Sequence, residues 1–94
     1  MFLLGLAAAL AAGKGIGLVE IGVHTDERGA DAWNLEMSQK RADAISSYLV
    51  AKGVDAKRLR ATGYGETRPI DKHHDAKAWA KNRRIELAIL QRAT

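Results

Sequence analysis

Val19-Glu20-Ile21-Gly22-Val23-His24-Thr25-Asp26 is the stretch that decides the fold. Val19, Ile21 and Val23 alternate with Glu20, Gly22 and His24, the period of two that marks a half-buried strand over residues 18–24. The strand runs into a polar loop over residues 26–32 that contains Gly29, with Asp31 a candidate helix N-cap. Beyond the loop, Leu35, Ser38, Ala42, Ile45 and Leu49 recur at helical spacing and predict a helix over residues 34–52. Gly53 is placed to stop it. Asp26 therefore stands at the end of a strand, and Arg41 on the shoulder of the apolar stripe of the helix that follows. A fold that brings this fixed anion and fixed cation together makes a receptor for a small zwitterion, carrying ammonium and carboxylate on one carbon.

Working outward, Leu3, Leu4, Leu6, Ala7 and Leu10 recur at helical spacing, and Gly13, Gly15 and Gly17 end that pattern. The apolar run over residues 2–12 is too short to span a bilayer. It reads as a buried helix or as a signal remnant. Small residues over 7–12 favour the signal, and the absence of Lys or Arg ahead of the run opposes it. Downstream, residues 58–63 predict a strand with Leu59 and Ala61 inward, and Gly63-Tyr64-Gly65 with Arg68-Pro69 a turn-rich connection. Residues 75–81 predict one or two helical turns, and residues 84–90 a last strand with Ile85, Leu87 and Ile89 on the core side. This order implies an α+β fold, a two-layer sandwich with helices on one face of a small mixed sheet. No linker or repeat interrupts it, so a single domain over residues 1–94 is expected.

Composition bounds the function. Charged residues at 28% and hydrophobic residues at 47% are those of a globular chain, not a disordered one. With no cysteine, disulfides cannot supplement a thin core. The net charge of +4 comes from scattered basic residues without interleaved aromatics, which favours a solvated basic surface over a nucleic-acid footprint. His73-His74-Asp75 has the look of a metal cluster, but adjacent residues converge poorly on one ion and no fourth ligand is evident. No metal or other cofactor is expected.

The residues from Val19 to Asp26, then Asn34, then Met37-Ser38-Gln39-Lys40-Arg41-Ala42, resemble the signature of the OmpA-like C-terminal domain. Tyr48-Leu49, Gly53-Val54, Arg58-Leu59, Gly63-Tyr64-Gly65-Glu66, Pro69-Ile70 and Asn82-Arg83-Arg84-Ile85-Glu86 continue the resemblance in order, over about residues 3–90. It implies a non-enzymatic module of the periplasm, associated with the outer membrane or cell envelope. Such a module grips peptidoglycan by the diaminopimelate of the stem peptide and anchors its parent protein to the cell wall. On that reading Asp26 pairs with the ligand ammonium and Arg41 with its carboxylate. Thr25 and Asn34 supply neutral hydrogen bonds, Met37 an apolar wall, and Arg83 a hold on the remaining polar groups. Because both poles serve a ligand rather than the core, the fold is expected to tolerate loss of either.

The chain departs from the family pattern at Val23, where a glycine is usual, and at Ala78-Trp79-Ala80, where Gly-Arg-Ala is common. The family also begins with a strand ahead of its first helix, whereas Met1 falls at or inside that helix. The edge of the last strand is then bare, and completion of the sheet is expected there, by a second copy in a homo-oligomer or by another segment. Two other readings stand beside wall binding. One is a wall hydrolase or amidase in which His24 and Asp26 face a common cleft, although no Ser or Cys nucleophile is paired with a base. The other is a basic nucleic-acid-binding module.

Overall fold

The alternating stretch becomes the middle of the sheet. The computed structural model describes residues 16–92. Strand β1 (Ile16–His24) is followed by helix α1 (Asp31–Ala51), a 3-10 turn (Ala56–Arg58), strand β2 (Leu59–Gly65), helix α2 (Ala76–Asn82) and strand β3 (Arg84–Arg92). The sheet order is β2-β1-β3, with β2 parallel and β3 antiparallel to β1. The fold is therefore α+β with a mixed sheet, as expected. The helix expected over residues 3–12 lies outside the described residues.

Val19, Ile21 and Val23 all face α1 and are almost wholly buried. Ala42, Ile45 and Leu49 meet them from the helix, and Val54 closes the end of the cluster. Burying a side chain such as Ile21 or Leu49 is worth about 1.5–3 kcal/mol, so this small set carries much of the cohesion. Leu59 and Ala61 pack against it from β2, and the register Val19↔Leu59, Ile21↔Ala61 puts them on the same face.

Three expectations are corrected, and a fourth holds for direction but not for burial. Asp31 is the first residue of α1 rather than its cap; Ala30 holds the cap position, without a side-chain hydrogen bond. Leu35 is exposed, and Asn34 takes the inward place in the first turn. Gly63-Tyr64-Gly65 is not a turn but the end of β2. Ile85, Leu87 and Ile89 share the face of their β1 partners Val23, Ile21 and Val19, yet each is more than 40% exposed, at 44%, 41% and 47%. The reason is the placement of α1, which lies over β2 and β1 and leaves β3 uncovered among the described residues.

What seats α1 on β2 is polar as well as apolar. The Gln39 side-chain amide accepts from Gly63 N–H at 2.9 Å and donates to the Ala61 carbonyl at 3.0 Å, as a neighbouring strand would. The Ser38 hydroxyl accepts from Gly65 N–H at 2.9 Å. These bonds occupy the outer edge of β2, which would otherwise present open donors and acceptors.

Candidate functional site

The site forms where β1 stops. Between Val23 and His24 the ladder shifts register, and Thr25 N–H reaches the Gly65 carbonyl at 2.9 Å, which turns the chain out of the sheet. The loop over residues 25–30 is then tied to α1 by one buried side chain. The Asn34 amide donates to the Arg28 carbonyl at 3.0 Å, to Glu66 Oε1 at 3.0 Å and, more weakly, to the Asp26 carbonyl at 3.4 Å. Thr25 Oγ1 also donates to the Asp26 carbonyl, at 2.9 Å. Asn34 and Thr25 thus spend their donors on the loop that carries Asp26, a shaping role that the sequence pattern did not distinguish from ligand contact.

All six residues singled out from the sequence line one concave pocket of ≈ 260 Å³: Thr25, Asp26, Asn34, Met37, Arg41 and Arg83, with Trp33 as a seventh. Asp26 and Asn34 are buried, whereas Trp33 and Arg41 are exposed at the rim. A larger, more apolar concavity of ≈ 570 Å³ adjoins it, sharing Arg41 and Arg83 and extending over Val23, Ala44, Ile45 and Ile85.

The two charged poles are in different states. Arg41 has no hydrogen bond or ion pair among the described residues. Asp26 is saturated. Its Oδ1 accepts from the Arg28 backbone N–H at 2.9 Å and from Arg28 Nε at 3.2 Å; its Oδ2 accepts from Arg28 Nη2 at 2.8 Å and from Arg83 Nη1 at 2.9 Å. Hydrogen bonding from the Arg28 side chain, reinforced by the Arg28 backbone and by Arg83, holds the Asp26 carboxyl far below the usual carboxylate range despite its burial. Arg83 therefore sits on the anionic pole itself rather than apart from it.

Arg28 is the residue that sequence reasoning missed. Its guanidinium also lies over the Trp79 ring, 4.7 Å from the centroid. Trp79 Nε1 donates to Glu27 Oε1 at 3.3 Å, and His74 Nδ1 lies 2.7 Å from the same oxygen, so α2 and the segment before it are pinned to the Asp26 loop. His73 instead faces Asp71 at 2.7 Å, and the two adjacent histidines serve different carboxylates. The His73 backbone and ring draw Asp71 down to about 2. Asn82 holds the other end of this segment, accepting from Ile70 and Asp71 N–H at 2.9 and 3.0 Å and donating to the Asp71 carbonyl at 2.9 Å.

His24 belongs to the opposite face of the sheet. Its ring stacks on Tyr64 with centroids 5.0 Å apart, while Tyr64 Oη donates to Glu20 at 2.6 Å and the Arg68 guanidinium covers the ring from 4.0 Å. Burial is the main cause that lowers the His24 pKa, with Arg84 adding to it. His24 borders the larger concavity and Asp26 the smaller, and no described cavity is lined by both. The two residues thus border adjoining cavities that share Arg41 and Arg83.

Comparison with known proteins places this geometry. The sequence model of the OmpA family matches residues 3–83. The peptidoglycan-associated lipoprotein of Pseudomonas aeruginosa is 45% identical over 64 residues, which are 68% of this chain and 38% of that protein. This chain thus spans well under half the length of that relative. Among solved structures, the peptidoglycan-associated lipoprotein from Burkholderia pseudomallei superposes with a TM-score of 0.80 at 35% identity, covering 90% of this chain and 71% of that one. The cell wall anchor of the T6SS from Pseudomonas aeruginosa superposes with a TM-score of 0.76 at 34% identity, covering 92% and 62% respectively.

Proposed function

Because the chain belongs to the OmpA family, we propose that it binds peptidoglycan non-covalently and anchors an envelope protein to the cell wall, working in the periplasm in association with the outer membrane or cell envelope. The ligand group is the diaminopimelate of the stem peptide. Its side-chain end offers an ammonium to Asp26 and a carboxylate to Arg41, which can take it in a bidentate fork. The observation that carries this reading is the pocket of ≈ 260 Å³ lined by Asp26 and Arg41 together with Thr25, Asn34, Met37 and Arg83. The role is binding without catalysis, in keeping with relatives named as a wall-associated lipoprotein and a cell wall anchor.

Each contact is weak. Exposed ion pairs contribute roughly 0–1 kcal/mol, so firm attachment arises from partial burial and from many sites on one polymer. The purified domain is expected to pellet with peptidoglycan sacculi, to be released by free meso-diaminopimelate, and to liberate no wall fragments. Retention on arbitrary DNA that falls steeply with salt, without pelleting, is the result that would instead favour a nucleic-acid module.

A second copy of the chain is part of the proposal. β3 ends the sheet with an unpaired outer edge among the described residues, and Ile85, Leu87, Ile89 and Leu90 are exposed along it. Antiparallel self-pairing with Ile89 opposite its symmetry mate sets Glu86 of one copy against Arg92 of the other, twice, on one face of the joined sheet. Sedimentation equilibrium is expected to give a dimer that Leu87→Lys dissociates. A concentration-independent monomer whose β3 amides are nevertheless protected from exchange is the contrary result.

A further inference from the structure

We infer that Arg28 is an internal stand-in for the ligand's ammonium, a cation that must leave Asp26 before an outside one can bind. The inference rests on the proposed wall-binding role and adds a residue that controls its affinity. A carboxylate offers about four acceptor positions, and Asp26 has all four filled. Arg28 supplies three of the donors, its backbone N–H, Nε and Nη2, and Arg83 supplies the fourth. An arriving ammonium therefore finds no free lone pair.

Arg28 is the donor built to yield. Its side chain is 56% exposed, whereas that of Asp26 is 8% exposed, so the guanidinium gains water when it swings away. It is two residues from its acceptor, and its backbone N–H stays on Oδ1 after the side chain leaves. Departure frees one position on each oxygen, an edge suited to the several donors of an ammonium. In the absence of ligand the same pairing keeps a buried carboxylate from standing uncompensated.

The test is a calorimetric titration of the wild-type chain and of Arg28→Ala with a diaminopimelate-containing stem tripeptide. Arginine Nε–H nuclear magnetic resonance signals are followed in parallel. Arg28→Ala is expected to bind about threefold tighter, because no internal pair has to be broken. Arg28→Lys, which keeps the charge without the fork, falls between the two. The Nε–H signal that the alanine variant lacks is expected to move toward the solvent-exposed position at saturation, while that of Arg83 holds. Wild-type binding with equal or weaker affinity in Arg28→Ala, or an Arg28 signal unmoved at saturation, overturns the inference and leaves wall binding intact. Binding by neither chain overturns both.

Discussion

Gly63→Ala is expected to cost about 3 kcal/mol or more and to lower the melting temperature by about 15 °C. A Cβ at this position would stand 2.2 Å from the Gln39 backbone nitrogen, 2.5 Å from Gln39 Cα and 2.6 Å from the Ser38 carbonyl carbon. All three are main-chain atoms of α1, so no rotamer change relieves the clash; the helix must lift off the strand. Lifting it would break the Gly63 N–H bond to Gln39 and the Gly65 N–H bond to Ser38, and would open the contact between α1 and the Val19, Ile21 and Val23 face. A small domain has only about 5–15 kcal/mol of stability to lose. Gly53→Ala is the control. Its φ of 101° strains an alanine, but nothing lies within 4 Å of the added carbon, so a cost nearer 1–2 kcal/mol follows. Urea unfolding of the three chains measures the difference. A midpoint for Gly63→Ala equal to that of the wild type would show that α1 does not sit as close to β2 as described.

Those glycines mark the boundary between what the residue pattern discloses and what it hides. Period-two alternation from Val19 to His24 and the 3.6 spacing of Ser38, Ala42, Ile45 and Leu49 are imprints of burial on one face, and both were legible. Gly63 and Gly65 carry no such imprint. A glycine required by the close approach of a helix reads the same as a glycine in a turn, and the distinction exists only once Gln39 is beside it. Ile85, Leu87 and Ile89 lie on the core side as expected, yet stay exposed, for the complementary reason. Alternation reports which face a side chain points to, not whether anything covers that face, and α1 covers β2 and β1 instead. At the site, the six residues selected from the sequence do share a pocket, because strand end, loop and helix are each placed by the legible pattern. Arg28 was missed because an arginine in a polar loop looks solvated. Its role depends on Asp26 being buried, and burial of a loop carboxylate follows from Asn34 tying the loop down.

Arg41→Ala and Asp26→Asn are both expected to abolish pelleting with sacculi, but only one should leave the fold untouched. Arg41 is exposed and unpartnered among the described residues, and such surface changes shift stability by no more than about 0.5 kcal/mol. On the proposed reading its loss removes the fork for the ligand carboxylate, and since a tenfold change in affinity needs only about 1.4 kcal/mol, a multivalent weak binder is expected to drop below retention. Asp26 differs from the expectation that either pole is dispensable for folding. It is buried and accepts from Arg28 and Arg83, and hydrogen bonds to a charged group contribute about 1.5–3 kcal/mol. Asp26→Asn keeps the shape but gives up the charge, so its stability should fall by about 2 kcal/mol near neutrality. The pH dependence fixes the cause. The folded-state pKa of Asp26 is depressed, so its stabilisation is complete above the unfolded value of about 3.9 and is lost as pH falls toward the folded one. The gap between wild type and Asp26→Asn should therefore be widest above pH ~4 and close on acidification, whereas Arg41→Ala should run parallel to the wild type throughout. Urea unfolding at a series of pH values, with pelleting on the same preparations, reads both. Pelleting by Arg41→Ala at the wild-type level would remove the cationic pole, and with it the case for a zwitterionic ligand; a gap for Asp26→Asn that does not narrow in acid would mean that the guanidinium pairs contribute nothing to folding.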